Sequence, residues 1–437
     1  MKDIENSKKE SPMLGLTGMG GGVGGFNFLS AGGLFFDLRL FSFGLNQDPQ
    51  GGLGQNTTSS PSSAPTAKFS SPKQVGSDAV WTNIGGAGEK AVTAIKNDGT
   101  LWAWGDNERG SLGLNQSGGN QYNRSSPTQV GTDTDWMTTV LNYGPGGTAS
   151  AAEMVAHHAS DSNQHQAFAI KQNGTLWSWG ANDEGGLGLN QQGNPYPSVK
   201  YSSPTQIGTS SNWTNVYCDR TRHVAATKND GTLWTWGMNE YGSLGVGDGD
   251  KRSSPTQVPG TGWKKAEMGG NAAMIGLKYN GELYCWGRNE FGQLGQNQGS
   301  SDLGQSNAPL QVPGTDWVDC AQSSSAMIAI KSDGSMWSWG SNHSGTLGQN
   351  QTAGEGVKYS SPTQIGTNTN WTQCWSNYQS CFANTGPGQM HSWGNNEYGQ
   401  LGQNSTSTKK QPESCSSPGA GVVDVDGGVY SSFWLRK

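Results

Sequence analysis

The sequence predicts an all-β protein, a seven-bladed β-propeller closed by pairing strands from the two ends of the chain. Three observations predict it. A phrase ending in Trp-x-Trp-Gly recurs along the chain, and each copy is followed by Asn-x-x-Gly-x-Leu-Gly. The segments between them alternate as strands do and carry hairpin turns.

Each unit opens on a lone tryptophan (Trp81, Trp136, Trp213, Trp263, Trp317, Trp371) heading a short apolar strand. A second strand then ends in an Asp-Gly or Asn-Gly pair, at 98–99, 173–174, 230–231 and 280–281, which is the signature of a tight hairpin. The third strand is the recurrent phrase itself: GTLWAWG at 99–105, GTLWSWG at 174–180, GTLWTWG at 231–237, GELYCWG at 281–287, GSMWSWG at 334–340 and GQMHSWG at 388–394. Alternation puts Leu101 and Ala103 on one face and Trp102 and Trp104 on the other, so both faces are apolar and the strand is buried on both sides. RLFSFG at 39–44 is a seventh, weaker copy, with phenylalanines in the tryptophan positions.

From Phe43 the marks recur at intervals of 61, 75, 57, 50, 53 and 54 residues. The structural residues are therefore Phe43, Trp104, Trp179, Trp236, Trp286, Trp339 and Trp393, with Gly105, Gly180, Gly237, Gly287, Gly340 and Gly394 behind the tryptophans. After the Asn box comes Ser-Ser-Pro-x-Gln-Val/Ile, as at 125–130 and 202–207; its proline lacks an amide hydrogen and belongs in a loop or at a sheet edge. A unit of this size with two apolar faces cannot stand alone, and seven such units close a ring. Residues 422–437 align with the first two strands of a unit, and the N-terminal side supplies RLFSFG without them. One blade is thus built from both ends.

The propeller is placed at 38–437 and a glycine-rich arm at 1–37. In the arm Met13, Leu14, Leu16, Met19, Phe26, Phe28 and Leu29 are apolar but separated by glycines, so no amphipathic helix forms. They are candidate partner-binding residues, as are His157 and His158, which lie in the insertion at about 139–164 that lengthens the 75-residue interval and is expected to be a solvent-exposed loop.

Composition excludes several classes. Glycine makes up 68 of 437 residues, about twice ordinary usage, and the mean hydropathy is -0.65 with 18 tryptophans. That is too aromatic for disorder and too polar for a membrane protein, and no apolar run is long enough to span a bilayer. Neither a spanning helix nor a signal peptide is recognised. The net charge of -6 argues against nucleic acid and anionic membranes. Six cysteines without a C-x-x-C pair read as free, mostly buried thiols, and Cys320 and Cys374 as core filler.

The search for chemistry finds little. His223 reads as a hydrogen-bonded strand histidine. His157, His158 and His165 lack the further ligands that a metal site needs. GGAGEKA at 85–91 lacks the helix of a phosphate loop, and Asp248 with Asp250 falls short of a calcium shell. No catalytic residue, cofactor or metal site is assigned, and the chain is read as no enzyme.

The Trp-Gly strand, the Asn-x-x-Gly-x-Leu-Gly box, the proline box and the hairpin turn together resemble the regulator-of-chromosome-condensation repeat, a seven-bladed propeller family, over about residues 38–437. WD repeats are excluded because tryptophan here precedes glycine. The wording of segments such as YSSPTQIGTNTNWT at 359–372 also resembles repeat proteins encoded by marine bacteriophages. The second resemblance implies a non-enzymatic virion structural protein, a tail, fibre or capsid-surface component localised to the virion and anchored by the arm. Its implied partners are other virion proteins or itself, with a host-surface receptor or glycan at the propeller. The first implies the alternative, an intracellular regulator that binds a small GTPase or chromatin in the manner of an exchange factor.

Overall fold

The computed structural model describes the chain from Leu38 to Arg436 except residues 47–52, 57–66, 79, 86–90, 119, 138–141, 144–148, 151–155, 162–163, 192–198, 219–221, 352–356, 386–388, 416–420 and 429. The N-terminal arm, with Met13 to Leu29, lies outside the described residues.

Seven antiparallel four-stranded sheets make the blades. Blade 1 runs from its inner strand Trp81–Gly85 through Ala91–Lys96 and Leu101–Gly105 to its outer strand Arg124–Gln129. The inner strands of blades 2 to 6 are Ala156–Asp161, Trp213–Cys218, Trp263–Gly269, Trp317–Gln322 and Trp371–Ser376, and each is followed outward by its next three strands in chain order. Blade 7 is composite. Val422–Gly427 and Ser431–Arg436 pair onward to Arg39–Asn46 and Ala67–Gln74, with Leu40 opposite Leu435 and Phe43 opposite Ser432. Closure by both ends of the chain is therefore as the repeat pattern implied. Each proline box is an outer strand, as in Arg124–Gln129, so its proline sits at a sheet edge where no amide hydrogen is needed.

Seven apolar clusters fill the seven junctions between blades. Ala91, Ile95, Leu101 and Ala103 of blade 1 meet Ala167, Ala169 and Trp179 of blade 2, and Leu40, Phe433 and Leu435 of blade 7 meet Val92 and Trp104 of blade 1. Trp104, Trp179, Trp236, Trp286, Trp339, Trp393 and Phe43 have no exposed surface. Five of the six tryptophans also hydrogen-bond out of their blades. The indole of Trp179 donates to the Ser111 carbonyl at 2.8 Å, that of Trp236 to Gly186 at 3.0 Å, and those of Trp286, Trp339 and Trp393 to Ser243, Gln293 and Thr346 at 2.9 Å. The acceptor always belongs to the Asn box of the preceding blade, so a single side chain fills the core and joins two blades.

The Asn of the box holds its own loop. Asn107 accepts the Leu112 amide at 3.0 Å and donates to the Gln116 carbonyl at 2.9 Å, and Asn182, Asn239, Asn289 and Asn396 repeat both bonds. Asn342 makes the first of these bonds to Leu347 at 3.2 Å, and Asn46 makes it to Leu53 at 3.1 Å, a seventh clamp hidden in the sequence by a longer spacing. The glycine after each tryptophan is required by conformation and by space. Gly180 has φ +99°, and a Cβ there would meet the His165 carbonyl.

The insertion departs from the expectation of a loop. Trp136 bridges to Lys171, as the other lone tryptophans pair with the end of the second strand, but the chain then leaves the blade. It forms a short hairpin, Asn142–Tyr143 with Ala149–Ser150, and returns as the inner strand Ala156–Asp161. His157 and His158 therefore lie in a β-strand, opposite Phe168 and Ala167. The sequence offered no tryptophan to open that strand, which is why it read as loop.

Candidate interaction site

The two ends of each blade differ in chemistry. The Asn boxes, with the turns joining first to second strands, make one end. The middle positions of the box supply the tips: Glu108, Glu184, Glu240 with Tyr241, Glu290 with Phe291, His343 with Ser344, and Glu397 with Tyr398. Glu184, Tyr241 and Ser344 sit at φ of 55°, 59° and 59°, a left-handed conformation that side-chain-bearing residues seldom adopt, and Tyr241 is 39% exposed as a result of the turn.

Carboxylates dominate these tips. Arg109 pairs with Asp183 at 3.3 Å, Arg222 and Lys251 flank Glu184, and Arg288 pairs with Glu290 while lying 4.7 Å from the Tyr241 ring centre. Glu108, Glu240 and Glu397 are exposed and make no ion pair with a described residue. Lysines share these tips, with Lys68 4.8 Å from the Tyr398 ring centre and Lys358 5.5 Å from that of Phe291, so exposed carboxylates, cations and aromatic rings stand together at this end.

Inside the ring the inner strands carry a second acidic group. Lys265 of blade 4 bonds Glu267 at 3.2 Å and Asp319 of blade 5 at 3.1 Å, and Asp319 accepts the Cys374 amide of blade 6 at 2.9 Å. Asp424 of blade 7 keeps part of its surface open, yet protein surrounds it closely, and burial pushes its carboxyl up to about 7 against the pull of the Val425 amide and Lys265. Burial also raises Glu267, opposed by Lys265. By register His157 holds the place in blade 2 that Tyr217, Glu267, Ala321, Trp375 and Asp426 hold in theirs.

His223 is buried in strand register opposite Gly237. Asp248 and Asp250 are taken up by loop structure: Arg252 bonds the Asp248 carboxylate at 2.6 Å, and Asn239 donates to both backbone carbonyls. Asp106, Glu108 and His165 bring one ligand atom each to within 4.8 Å of one another. These residues have the donor types for a divalent cation, and sequence reading missed the group because it joins a loop of blade 1 to a strand of blade 2. All six cysteines are free, five of them buried.

A family model, the regulator of chromosome condensation (RCC1) repeat, matches residues 98–140, 173–225, 230–275, 280–328, 333–383 and 387–435. The human E3 ubiquitin-protein ligase HERC2 is 26% identical over 397 residues, which are 86% of this chain and 7% of that protein; the chain thus spans a small part of that relative's length. Human WBSCR16 superposes with a TM-score of 0.73 at 20% identity, over 92% of this chain and 99% of that one. Prp20p from Saccharomyces cerevisiae, described with its binding properties to Gsp1p and histones, superposes with a TM-score of 0.69 at 16% identity over 91% of each chain. The two structures share the fold.

These matches overturn the resemblance to marine-phage proteins, and with it the virion reading: a tail, fibre or capsid component, virion partners and virion localisation. The physical reason lies in the repeat. Glycines at positive φ, the asparagine clamp and the tryptophan bond dictate the recurring words in any source, so the wording reports the fold and not the host.

Proposed function

The chain belongs to the regulator of chromosome condensation repeat family, and from that premise we propose that it is an intracellular regulator whose Asn-box end binds a basic protein surface, on a small GTPase or on chromatin. Propellers of this family act as non-catalytic exchange-factor or scaffold domains, and the chain is not an enzyme. The observation that carries the proposal is the set of exposed carboxylates at Glu108, Glu240 and Glu397 beside the rings of Tyr241 and Tyr398. These carboxylates, on a chain of net charge -6, suit basic groups on a protein partner better than phosphate, so the chromatin component proposed is histone rather than DNA. Prp20p, which shares the fold, is described as binding Gsp1p and histones. Free thiols agree with a reducing compartment. In this reading residues 38–437 are the binding propeller, and residues 1–37 are a glycine-rich arm that orders on a partner.

The test is a titration with labelled core histones and, separately, with a small GTPase of the Gsp1p kind. Binding is expected to weaken as salt rises and to weaken further when Glu108, Glu240 and Glu397 are replaced together by Gln, with the melting temperature unchanged. Failure of both partners to bind, or binding indifferent to the triple replacement, overturns the proposal.

A further inference from the structure

The other end of the blades repeats a cradle that the sequence did not announce. In blades 1 to 5 the lysine ending the second strand lies against two aromatic rings, one from the inner strand and one from the third. Lys96 is 5.0 and 4.0 Å from the ring centres of Trp81 and Trp102, and Lys331 is 4.8 and 5.1 Å from those of Trp317 and Trp337. Lys171 lies with Trp136 and Trp177, and Lys278 with Trp263 and Tyr284.

In four of these cradles the chain supplies a carboxylate of its own. Lys96 bonds Asp78 at 3.0 Å, Lys171 bonds Asp133 at 2.7 Å and Asp135 at 3.0 Å, Lys278 bonds Glu282 at 3.5 Å, and Lys331 bonds Asp316 at 3.3 Å. Blade 6 loses both partners together, with Asn368 and Asn370 in the linker and Thr385 opposite Trp371. Blade 3 alone among these six keeps the lysine and drops the acid. Its linker reads Gly-Thr-Ser-Ser-Asn before Trp213, and Lys228 bonds only the Ser210 hydroxyl at 3.2 Å while its ammonium stays 4.4 and 4.2 Å from Trp213 and Trp234. The nearest acid in sequence, Asp230, is held by Thr232 at 2.6 Å and by Asn212, and no described carboxylate forms an ion pair with Lys228.

A cavity of about 340 Å³ opens at this lysine, lined among others by Lys228, Trp213, Trp234, Ser210, Asn190 and Gln206. That is within the size range of small-ligand sites, and its walls are apolar with a few convergent polar groups. We propose that this cavity in blade 3 binds a carboxylate from outside the chain, paired with the Lys228 ammonium as the chain's own aspartates are paired with the lysines of blades 1, 2 and 5. Four occupied copies of the cradle show what chemistry it takes, and the vacant copy has room for a ligand body. The protonation balance agrees: burial lowers Lys228 against the weaker pull of Asp230, whereas at Lys171 the bonds to Asp133 and Asp135 outweigh burial and raise it. None of the tip carboxylates lines the cavity, so this site and the protein-binding end stand or fall separately.

The experiment follows acylation of individual lysines of the full chain by mass spectrometry, with sodium benzoate and an aspartate-containing hexapeptide as probes. Lys228 is expected to be protected saturably while Lys96 is not. Protection by both probes marks a site for free organic acids, and protection by the peptide alone marks a site for an acidic side chain; either supports the proposal. Ser210→Asp restores the internal partner of the sister blades, keeps the fold, and should abolish protection by both probes. No saturable protection of the native chain, or undiminished protection in S210D, overturns it.

Discussion

The hydroxyl of Ser432 donates to the carbonyl of Gln400 at 2.8 Å, the bond that a tryptophan indole makes at five other blade junctions. Gln400 occupies the acceptor position of the blade 6 Asn box. The residue that should answer it in blade 7 is Phe43, which has no N–H. Ser432 stands opposite Phe43 on the neighbouring strand and supplies the missing donor. The weak seventh repeat is thus completed by the other end of the chain, and the closure carries its own form of the recurrent bond.

Ser432→Ala should therefore take the donor from the buried Gln400 carbonyl and the 2.7 Å acceptor from the Asn377 side-chain amide, and cost about 1–3 kcal/mol. Urea unfolding measures it. Phe43→Trp brings back an indole donor, and combined with Ser432→Ala it should lose less than the two single changes summed. Strict additivity would show that the bond does not matter to closure.

The five indole bonds set a second expectation. Trp339→Ala empties a fully buried site and strands the Gln293 carbonyl, so it should cost about 3–5 kcal/mol. Trp337→Ala on the same strand removes a partly exposed ring and should cost clearly less. Equal losses in denaturant titrations would mean that the fully buried tryptophans of the third strands do not carry the blade junctions.

Asp424 gives the stability a pH dependence of definite sign. Its carboxyl is pushed up to about 7, mainly by burial, against about 3.9 in an unfolded chain. From about pH 4 to about 7 the folded protein holds a proton that the unfolded chain has released, so stability falls as pH rises through that window. Glu267, also raised by burial, acts in the same direction. Asp424→Asn should flatten the decline and leave the protein more stable than the native one above that window. An unchanged slope in unfolding experiments across the window counts against the assignment.

The ring was legible because every unit states the same physical demands in residues: glycine where φ is positive, asparagine where a loop must be clamped, tryptophan where two blades meet. Asn46 escaped notice because two extra residues separate it from Leu53, although it makes the same bond. His157 and His158 read as loop because their strand lacks the opening tryptophan, which the insertion leaves behind at 136. The functional surfaces were less legible for a different reason. The carboxylates of the Asn boxes, the trio of Asp106, Glu108 and His165, and the lysine cradles each depend on residues brought together across turns and blades. Spacing along the chain carries no record of that proximity.

The composite blade makes the sharpest test of the architecture. Residues 422–436 supply both of its inner strands, and Ser431–Arg436 pairs along Arg39–Asn46 from Arg39 opposite Arg436 to Gly44 opposite Ser431. Phe433 and Leu435 fill the junction with blade 1, and Val422, Val425 and Trp434 the junction with blade 6. Deleting residues 422–437 would strip the partner from Arg39–Asn46, expose its unpaired edge, and open two apolar junctions at once. Neither neighbour has another surface to cover them. The truncated chain should aggregate and lose its cooperative melt, whereas a peptide spanning 422–437, added during refolding, should restore part of the soluble fraction by pairing with that edge. A truncation that stays monomeric and melts cooperatively would mean that six blades and a two-stranded remnant close without the C-terminal strands, and the account of closure given by Ser432 and Gln400 would fail with it.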